Sequence, residues 1–485
     1  METRTLDGLA RHFQELLGDG AVITDPVRLR TYECDGLTYH RATPGVVVLP
    51  ETAEQIAAVV RACNAHGVPF VARGAGTGLS GGALPRTDGV LIVTSRMRRI
   101  LSVDVADRCA VVEPGVTNLA ITEAVRHLGY YYAPDPSSQQ VCTIGGNIAE
   151  NSGGAHCLKY GFTVNHVLAL EIVTPDGDIV ELSDTDPGYD LLGVFVGSEG
   201  TLGITTKVTV RLTRAPETVT TLLAAFDGIE QGGQAVSAII GGGIVPAAIE
   251  MMDALAIEAA EAAVACAYPE GAGAVLIVEL DGPAAEVTHQ FDAVTRICRE
   301  TGAFELRVAA DPAERAAIWK GRKSAFAAVG RISPAYIVQD GVVPRTALPE
   351  VLGRIDLLSR EYGIRVANVF HAGDGNLHPL VLFDDAETGA GERAELVSGK
   401  ILDLCIEHGG SITGEHGVGV DKSRYMSKMF SDDDLDTMQL VRCAFDPRGL
   451  SNPGKIFPTP RLCGEVPGVH KGVHPLVESG QAEQF

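Results

Sequence analysis

Two glycine-rich segments constrain the fold of this 485-residue chain more than any other feature. The first, Arg73-Gly-Ala-Gly-Thr-Gly-Leu-Ser-Gly-Gly82, directly follows the apolar run Val68–Ala72. The second lies within Ala133–Gly161 and contains four clusters of small and polar residues. Glycine lets the backbone approach a ligand closely, and backbone N–H groups without a side chain in the way bind phosphate. We therefore expect the folded chain to wrap an extended, phosphate-containing ligand.

Strands and helices alternate around these segments. Val46–Leu49 predicts a strand, and Thr52 followed by Gln55 predicts the capped start of a helix that ends near Gly67. This alternation predicts an α/β (α+β) fold. Beyond Arg214 the pattern changes to alanine-rich helices between apolar strands, and a domain boundary is expected there.

The first segment contains Gly-x-Gly, so an NAD-type dinucleotide loop has to be considered. Read from Gly74, the third glycine comes too early for G-x-G-x-x-G. No acidic residue ends a clear strand at the offset of roughly 20 residues, although Asp88 is nearby. The spacing favours a phosphate-binding loop of another kind, and glycines that serve turns alone remain an alternative.

The charge balance excludes one large class of partners. Aspartate and glutamate number 62 against 39 lysines and arginines, which gives a net charge of −23. Nucleic-acid binding is not expected, because it requires a basic surface. The N-terminal residues contain no apolar run typical of a secretory signal, and no segment is apolar enough to span a membrane. We expect a cytoplasmic protein, and peripheral association with the inner face of the membrane stays open.

Two histidine-containing motifs indicate a second kind of site. His371-Ala-Gly-Asp-Gly-Asn-Leu-His378 lies between two apolar runs, and in a hairpin both imidazoles can converge. Gly414-Glu-His-Gly-Val-Gly419 follows further along the chain. Two histidines and a glutamate suit a divalent ion with one open position. A purely structural histidine pair is the alternative, although the glycine-rich surroundings favour a functional site.

The order of these motifs resembles a known family of flavoproteins. The glycine-rich segments and Gly197–Ile204 resemble the FAD-binding domain of the vanillyl-alcohol-oxidase type. The histidine motifs are similar to those of its glycolate-oxidase FAD subunit and D-lactate (D-2-hydroxyacid) dehydrogenase branch. The resemblance implies that FAD is held by Arg73, Gly74, Ala75, Gly76, Thr77, Gly78, Pro134, Asp135, Ser137, Thr143, Gly146, Asn147, Asn151, Gly154, Gly203, Ile204 and Asn452. The FAD is expected to be noncovalent, because the first segment contains neither histidine nor cysteine.

The resemblance also assigns the chemistry. It implies that His371, His378 and Glu415 bind a divalent metal, with Zn²⁺ the expected ion, and that His416 is the general base. The implied reaction oxidises a 2-hydroxy acid. In it the metal lowers the pKa of the hydroxyl, His416 accepts the proton and FAD N5 accepts the hydride.

One arginine is expected to bind the substrate. Ile318-Trp-Lys-Gly-Arg-Lys323 resembles the family's W-x-x-R segment, so Arg322 is implied to bind the carboxylate. Members that act on dicarboxylates carry an added lysine before Asp340, where this chain has Tyr336-Ile-Val-Gln. Glycolate or D-lactate is therefore the expected substrate, and D-2-hydroxyglutarate is the alternative.

The resemblance also implies a domain plan and partners. Residues 1–214 are expected to bind FAD, 215–414 to form the cap or substrate domain, 415–460 to complete the flavin site, and 461–485 to be a poorly ordered tail. The electron acceptor is expected to be an iron–sulfur subunit, a quinone or electron-transfer flavoprotein, and the assembly a homo-oligomer or a hetero-complex. A metal-free flavin oxidase, a noncatalytic FAD subunit and a metal-dependent hydrolase remain as competing hypotheses.

Overall fold

The computed structural model describes residues 2–458, so the tail predicted for 461–485 lies outside the described residues. The helices are α1 (Glu2–Leu17), α2 (Pro26–Leu29), α3 (Ala53–His66), α4 (Asn118–Val125), α5 (Ile144–Glu150), α6 (Cys157–Tyr160), α7 (Leu191–Phe195), α8 (Ile229–Gly241), α9 (Ala254–Val264), α10 (Ala284–Glu300), α11 (Pro312–Val329), α12 (Leu348–Tyr362), α13 (Ala390–Glu407), α14 (Met426–Met429) and α15 (Asp432–Phe445). The strands are β1 (Val22–Ile23), β2 (Val46–Val48), β3 (Phe70–Arg73), β4 (Val90–Val93), β5 (Ile100–Asp104), β6 (Cys109–Val112), β7 (Tyr130–Tyr131), β8 (Val167–Val173), β9 (Ile179–Ser183), β10 (Ile204–Arg211), β11 (Thr213–Arg214), β12 (Thr218–Phe226), β13 (Ala248–Asp253), β14 (Ala274–Gly282), β15 (Glu305–Val308), β16 (Ala335–Val338), β17 (Gly341–Val342), β18 (Val366–His371), β19 (Asn376–Leu377) and β20 (Pro379–Phe383).

The first sheet has the order β1-β2-β4-β3, and its strands β2, β4 and β3 are parallel. Helix α3 makes the crossover from β2 to β3. Its N-terminus is capped as predicted, because Thr52 Oγ1 accepts from Gln55 N at 3.3 Å. Gln55 Oε1 in turn accepts from Glu51 N at 2.7 Å. The helix ends at Gly67, whose φ of 62° is left-handed and suits glycine.

A five-stranded sheet of order β5-β6-β10-β8-β9 follows, and all its pairs are antiparallel. Helix α5, formed by part of the second glycine-rich segment, packs on it. Ile144 and Ile148 of this helix share a buried core with Val208 and Val210 of β10. This packing fixes the second glycine-rich segment beside the sheet.

The third sheet has nine strands and helices on both faces. Its main path is β15-β12-β14-β13-β18-β19-β17. Off this path, β20 pairs with β18, and β16 pairs with β20. Leu222 of β12 points into a core shared with α8, α10, α12 and α13, and Leu223 points into a core shared with α9 and α11. This alternation is the period of two expected for a strand that is buried on both faces.

The end of the described chain returns to the first sheet. Ser451 forms a parallel bridge with Phe70 of β3, and Asn452 N donates to Phe70 O at 2.8 Å. Because β3 leads directly into the first glycine-rich segment, residues near 452 lie beside that segment.

Candidate active site

A cavity of about 980 Å³ is lined by both glycine-rich segments and by residues carried on or near the nine-stranded sheet. Twelve of the residues predicted to hold FAD lie on its wall: Arg73, Gly74, Ala75, Gly76, Thr77, Gly78, Ser137, Thr143, Gly146, Asn147, Gly203 and Ile204. His378, Glu415 and His416 line the same cavity. Residues more than 300 positions apart in the chain therefore share one space. Its volume lies at the upper end of the range of roughly 300–1,000 Å³ that is usual for ligand sites.

Two glycines of the first glycine-rich segment, Gly74 and Gly76, lie directly against other side chains. A Cβ atom added at Gly74 would lie 2.3 Å from Thr143 Oγ1. At Gly76, φ is 71°, and an added Cβ would lie 2.1 Å from the guanidinium of Arg73. That guanidinium is turned away to donate to Cys34 O at 2.7 Å. The glycines thus keep bare backbone on the cavity wall, as the sequence predicts.

Several buried polar atoms on this wall have no hydrogen-bond partner among residues 2–458. They include Thr143 Oγ1, Asn147 Nδ2 and Ser198 Oγ, and all three residues line the cavity. Buried polar groups without partners are unusual in folded proteins and indicate that a ligand supplies the missing contacts. The residues present therefore fit a large, polar cofactor such as FAD.

Five residues predicted to hold FAD lie off the cavity wall and support it instead. Asp135 accepts from His156 N at 3.2 Å, and Asn151 Oδ1 accepts from Val164 N at 2.9 Å. Asn452 is buried, and its Nδ2 donates to Gly82 O at 2.9 Å. The other two are Pro134 and Gly154.

The two predicted histidines and the glutamate come together in a buried cluster. His371 is the last residue of β18, His378 lies between β19 and β20, and Glu415 lies in the loop after α13. Glu415 Oε1 is 3.0 Å from His371 Nε2 and 3.3 Å from His378 Nε2. Potential ligand atoms of all three residues lie within 4.8 Å of one another.

The donor set of this cluster fits a divalent metal ion. Neither ring nitrogen of His378 makes a well-oriented hydrogen bond among residues 2–458. Burial raises the pKa of Glu415, but His371 and His378 outweigh this effect and lower the pKa to about 2. The cluster therefore presents an ionised carboxylate and two imidazoles, a combination that Zn²⁺ prefers.

His416 lies beside this cluster and on the cavity wall. Its ring stacks on that of His378, with centroids 4.9 Å apart. Burial lowers the pKa of His416 to about 4, although the nearby Asp340 carboxylate opposes the shift. The imidazole is therefore neutral at pH 7 and able to accept a proton.

Asp340 holds the loop that carries Glu415 and His416. Its Oδ2 accepts from Thr413 Oγ1 at 2.6 Å and from His416 N at 2.9 Å. Lys422 Nζ donates to the same oxygen at 3.1 Å, and both side chains are almost fully buried. Burial raises the pKa of Asp340, but Lys422 and His416 outweigh it and hold the pKa well below the usual value.

Arg322 does not line the cavity, although its neighbours on α11 do. Its Nε donates to Glu250 Oε2 at 2.7 Å, and only 3% of its side chain is exposed. Lys323 and Phe326 of the same helix lie on the cavity wall. The ring of Phe326 lies 5.7 Å from the guanidinium carbon of Arg322 and 5.8 Å from the imidazole centroid of His378. The arginine thus contacts a residue of the cavity wall without lining the cavity itself.

The sequence argument did not identify Glu250 or Asp340 as parts of the site. Glu250 is the only charged residue among the five buried residues of β13, and a carboxylate flanked on both sides by apolar residues was the available signal. Asp340 is fully buried and follows the apolar strand β16. Charged residues are rarely buried without a partner, so both positions invited a search for one.

The chain matches two models of protein families. Residues 44–183 match "FAD binding domain", and residues 215–456 match "FAD linked oxidases, C-terminal domain". Among curated proteins, the glycolate oxidase subunit GlcD of Escherichia coli K12 is 53% identical over 90% of this chain and 89% of its own length. GlcD of Bacillus subtilis is 39% identical over 88% of this chain and 92% of its own length. A D-lactate dehydrogenase of Anaerostipes hadrus is 33% identical over 92% of this chain and 96% of its own length.

Solved structures share the fold at low sequence identity. A p-cresol methylhydroxylase has a TM-score of 0.78 at 16% identity and covers 93% of this chain and 96% of its own. A 4-ethylphenol oxidase from Gulosibacter chungangensis has a TM-score of 0.77 at 19% identity, with coverage of 94% and 98%. These similarities confirm the predicted α/β fold of the vanillyl-alcohol-oxidase type. Among residues 2–458, no helix is long and apolar enough to cross a membrane.

Proposed function

Because the chain belongs to the FAD-linked oxidases, in the branch of the glycolate oxidase subunits and D-lactate dehydrogenases, we propose that it oxidises a short 2-hydroxy acid to the 2-oxo acid. Glycolate and D-lactate are the proposed substrates. One observation carries the proposal: the cluster of His378, Glu415 and His416 opens on the same cavity as the glycine-rich segments. A hydroxy acid bound at the cluster would lie within the space that holds the flavin.

The cofactor is proposed to be noncovalent FAD, which accepts a hydride from the substrate carbon. The bare backbone of Gly74–Gly78 would receive the pyrophosphate, and Thr143 and Asn147 would donate hydrogen bonds to the cofactor. Pro134, Asp135, Asn151, Gly154 and Asn452 are proposed to hold these segments in place. Expulsion of water by the bound cofactor would strengthen each of these contacts.

His371, His378 and Glu415 are proposed to hold a divalent ion, with Zn²⁺ the best match to two imidazoles and a carboxylate. Such an ion lowers the pKa of a bound hydroxyl group. His416 would accept the hydroxyl proton, since its ring faces the cavity beside the proposed ligands. Asp340 would keep that imidazole in place through the backbone of the loop.

The substrate is proposed to be a monocarboxylate. The Arg322 guanidinium lies 5.7 Å from the ring of Phe326, and a rearrangement of these two side chains would bring the guanidinium to the substrate carboxylate. The walls near it include Phe326, Tyr336 and Val338, none of which carries a positive charge for a second carboxylate. Burying an unpaired carboxylate there would cost several kcal/mol. Lys323 is the one lysine on this part of the wall and the first residue to test if a dicarboxylate proves to be the substrate.

The organisation around the site is also proposed. Residues 1–214 would bind FAD, 215–414 would form the cap, and 415–460 would complete the flavin site. Electrons would pass to an iron–sulfur subunit, a quinone or electron-transfer flavoprotein, at a position peripheral to the inner face of the membrane. The word "subunit" in the name of the Escherichia coli relative supports a hetero-complex.

The test is a substrate panel with the purified, FAD-loaded protein under anaerobic conditions. We expect kcat/KM to be highest for glycolate or D-lactate among glycolate, D-lactate, L-lactate and D-2-hydroxyglutarate. A preference for D-2-hydroxyglutarate would refute the proposal that the substrate is a monocarboxylate. A preference for L-lactate would refute the proposed D configuration of the substrate. Metal analysis of the same preparation separates this proposal from a metal-free flavin oxidase.

A further inference from the structure

Glu250 connects the two anchoring groups of the proposed site. It is 1% exposed, and its two carboxylate oxygens have different partners. Oε1 lies 2.7 Å from His371 Nδ1, and Oε2 accepts from Arg322 Nε at 2.7 Å. Arg322 Nη2 lies 2.6 Å from the same Oε2. A single carboxylate thus contacts a proposed metal ligand and the proposed carboxylate-binding arginine.

The register of the sheet produces this arrangement. Glu250 of β13 lies directly opposite His371 of β18 in an antiparallel pair, so the two side chains project from the same face. Helix α11 covers that face and brings Arg322 to the other carboxylate oxygen.

The contact with Glu250 determines which nitrogen of His371 faces the cluster. A carboxylate accepts only, so Nδ1 must carry the hydrogen that it receives. Nε2 is then directed at Glu415, whose Oε1 is 3.0 Å away. Carboxylates that hold a ligating imidazole in this way are common around protein-bound metals, where they orient the ring and raise its basicity.

The contact with Arg322 leaves part of the guanidinium unused. A guanidinium has five N–H donors, and Glu250 occupies its Nε edge. Among residues 2–458, Nη1 has no hydrogen-bond partner and Nη2 makes no well-oriented hydrogen bond, so both can serve another acceptor. Glu250 therefore holds the guanidinium of Arg322 in one orientation without using all of the N–H donors of that guanidinium.

We propose that Glu250 is a positioning residue, which holds His371 for the metal and Arg322 for the substrate carboxylate in one rigid unit. This inference rests on the proposed function, because it takes His371 as a metal ligand. The distance between the metal end and the carboxylate end of the site would then be set by one buried side chain.

The chain supplies a matched control for a merely structural role. Glu279 lies on β14, is also 1% exposed, and also anchors α11 to the sheet. It accepts from Arg315 Nη2 at 2.6 Å and from Trp319 Nε1 at 2.7 Å, and its Oε1 lies 3.2 Å from His156 Nε2. Within the described part of the chain, it makes no hydrogen bond or ion pair with His371, His378 or Glu415. Glu279→Gln should therefore disturb the packing of α11 while sparing the proposed metal site.

The experiment measures the affinity of the full-length, FAD-loaded protein for Zn²⁺ by competition with a chromogenic chelator. Glu250→Gln should weaken Zn²⁺ binding by about 10–100-fold, the usual effect of removing such a partner. Glu279→Gln should bind Zn²⁺ as the wild type does. At saturating Zn²⁺, Glu250→Gln should also raise KM for glycolate more than it lowers kcat, because Arg322 is no longer held in place.

A second variant keeps the test valid if Glu250→Gln fails to fold with Arg322 unpaired. Glu250→Gln combined with Arg322→Met removes both buried charges and should show the same loss of Zn²⁺ affinity. Wild-type Zn²⁺ affinity in the folded variant, or an unchanged KM in Glu250→Gln, would overturn the role of Glu250. A wild-type protein that binds no Zn²⁺ would instead contradict the proposed metal site itself.

Discussion

Replacing Asp340 or Lys422 should destabilise the protein strongly, and replacing both should cost much less than the sum. The two side chains form a nearly fully buried ion pair, with Lys422 Nζ 3.1 Å from Asp340 Oδ2. Removing one partner of such a pair leaves an uncompensated buried charge and typically costs about 3–5 kcal/mol. Asp340→Asn and Lys422→Met should each lower the free energy of unfolding, whereas the double variant removes both charges of the pair.

The structure also predicts which single change is worse. In Lys422→Met, Asp340 still accepts from Thr413 Oγ1 and from the backbone N–H groups of Gly414 and His416. In Asp340→Asn, Lys422 loses its carboxylate, and the loop exchanges a charged acceptor for a neutral one. The loss of unfolding free energy should therefore lie at the upper end of the range of about 3–5 kcal/mol for Asp340→Asn and at its lower end for Lys422→Met.

The assay is urea denaturation of the three variants and the wild type, arranged as a double-mutant cycle. We expect a coupling free energy of about 2 kcal/mol or more, with the double variant close to Lys422→Met in stability. Additive effects would refute the view that this buried pair holds the loop. Equal losses in the two single variants would refute the predicted order.

Three further predictions follow from the geometry of the site. His416→Asn should keep its FAD and metal, but substrate should reduce its flavin about 10²–10⁴-fold more slowly, as is usual when a general base is removed. Reduction at the wild-type rate would exclude that role for His416. Gly74→Ala should lower FAD content, because its Cβ would lie 2.3 Å from Thr143 Oγ1, whereas Gly8→Ala, where nothing lies within 4 Å, should retain FAD. Burial lowers the pKa of His156, but Asp135 and Glu279 outweigh burial and raise the pKa to about 10. The protonated His156 should therefore stabilise the folded protein fully below pH ~6.5, and this stabilisation should be lost as the pH rises through ~10. His156→Gln should thus lower the free energy of unfolding at pH 6 far more than at pH 10, and an equal loss at both would contradict the charged pair.

The elements with strong local signals could be predicted from the sequence. Helix α3 starts at the cap made by Thr52 and ends at Gly67, because both ends depend on residues within one turn. The apolar run at 68–72 largely forms a strand, found at Phe70–Arg73, so the start differs by two residues and the end by one. Motif order identified the family, and the glycine-rich segments and histidine motifs line one cavity because the chain returns to the first sheet at Ser451.

The rest of the site depends on contacts that no local pattern contains. Glu250 meets His371 only through the register of β13 and β18, which are more than 100 residues apart. Arg322 was expected at the substrate, yet whether its guanidinium faces the cavity or the sheet depends on how α11 rotates on that sheet. The pKa of His416 depends on its burial and on Asp340, which belongs to a different segment of the chain. These quantities follow from tertiary packing, so the sequence argument could give the residues but not their partners.

The most direct test of the account is the anaerobic reduction of the bound flavin by glycolate, followed by the loss of oxidised-flavin absorbance in a stopped-flow instrument. The wild-type protein should be reduced rapidly, the protein stripped of metal by a chelator should keep its FAD but react far more slowly, and added Zn²⁺ should restore the rate. Equal rates with and without metal, or a flavin that neither glycolate nor D-lactate reduces, would contradict the account.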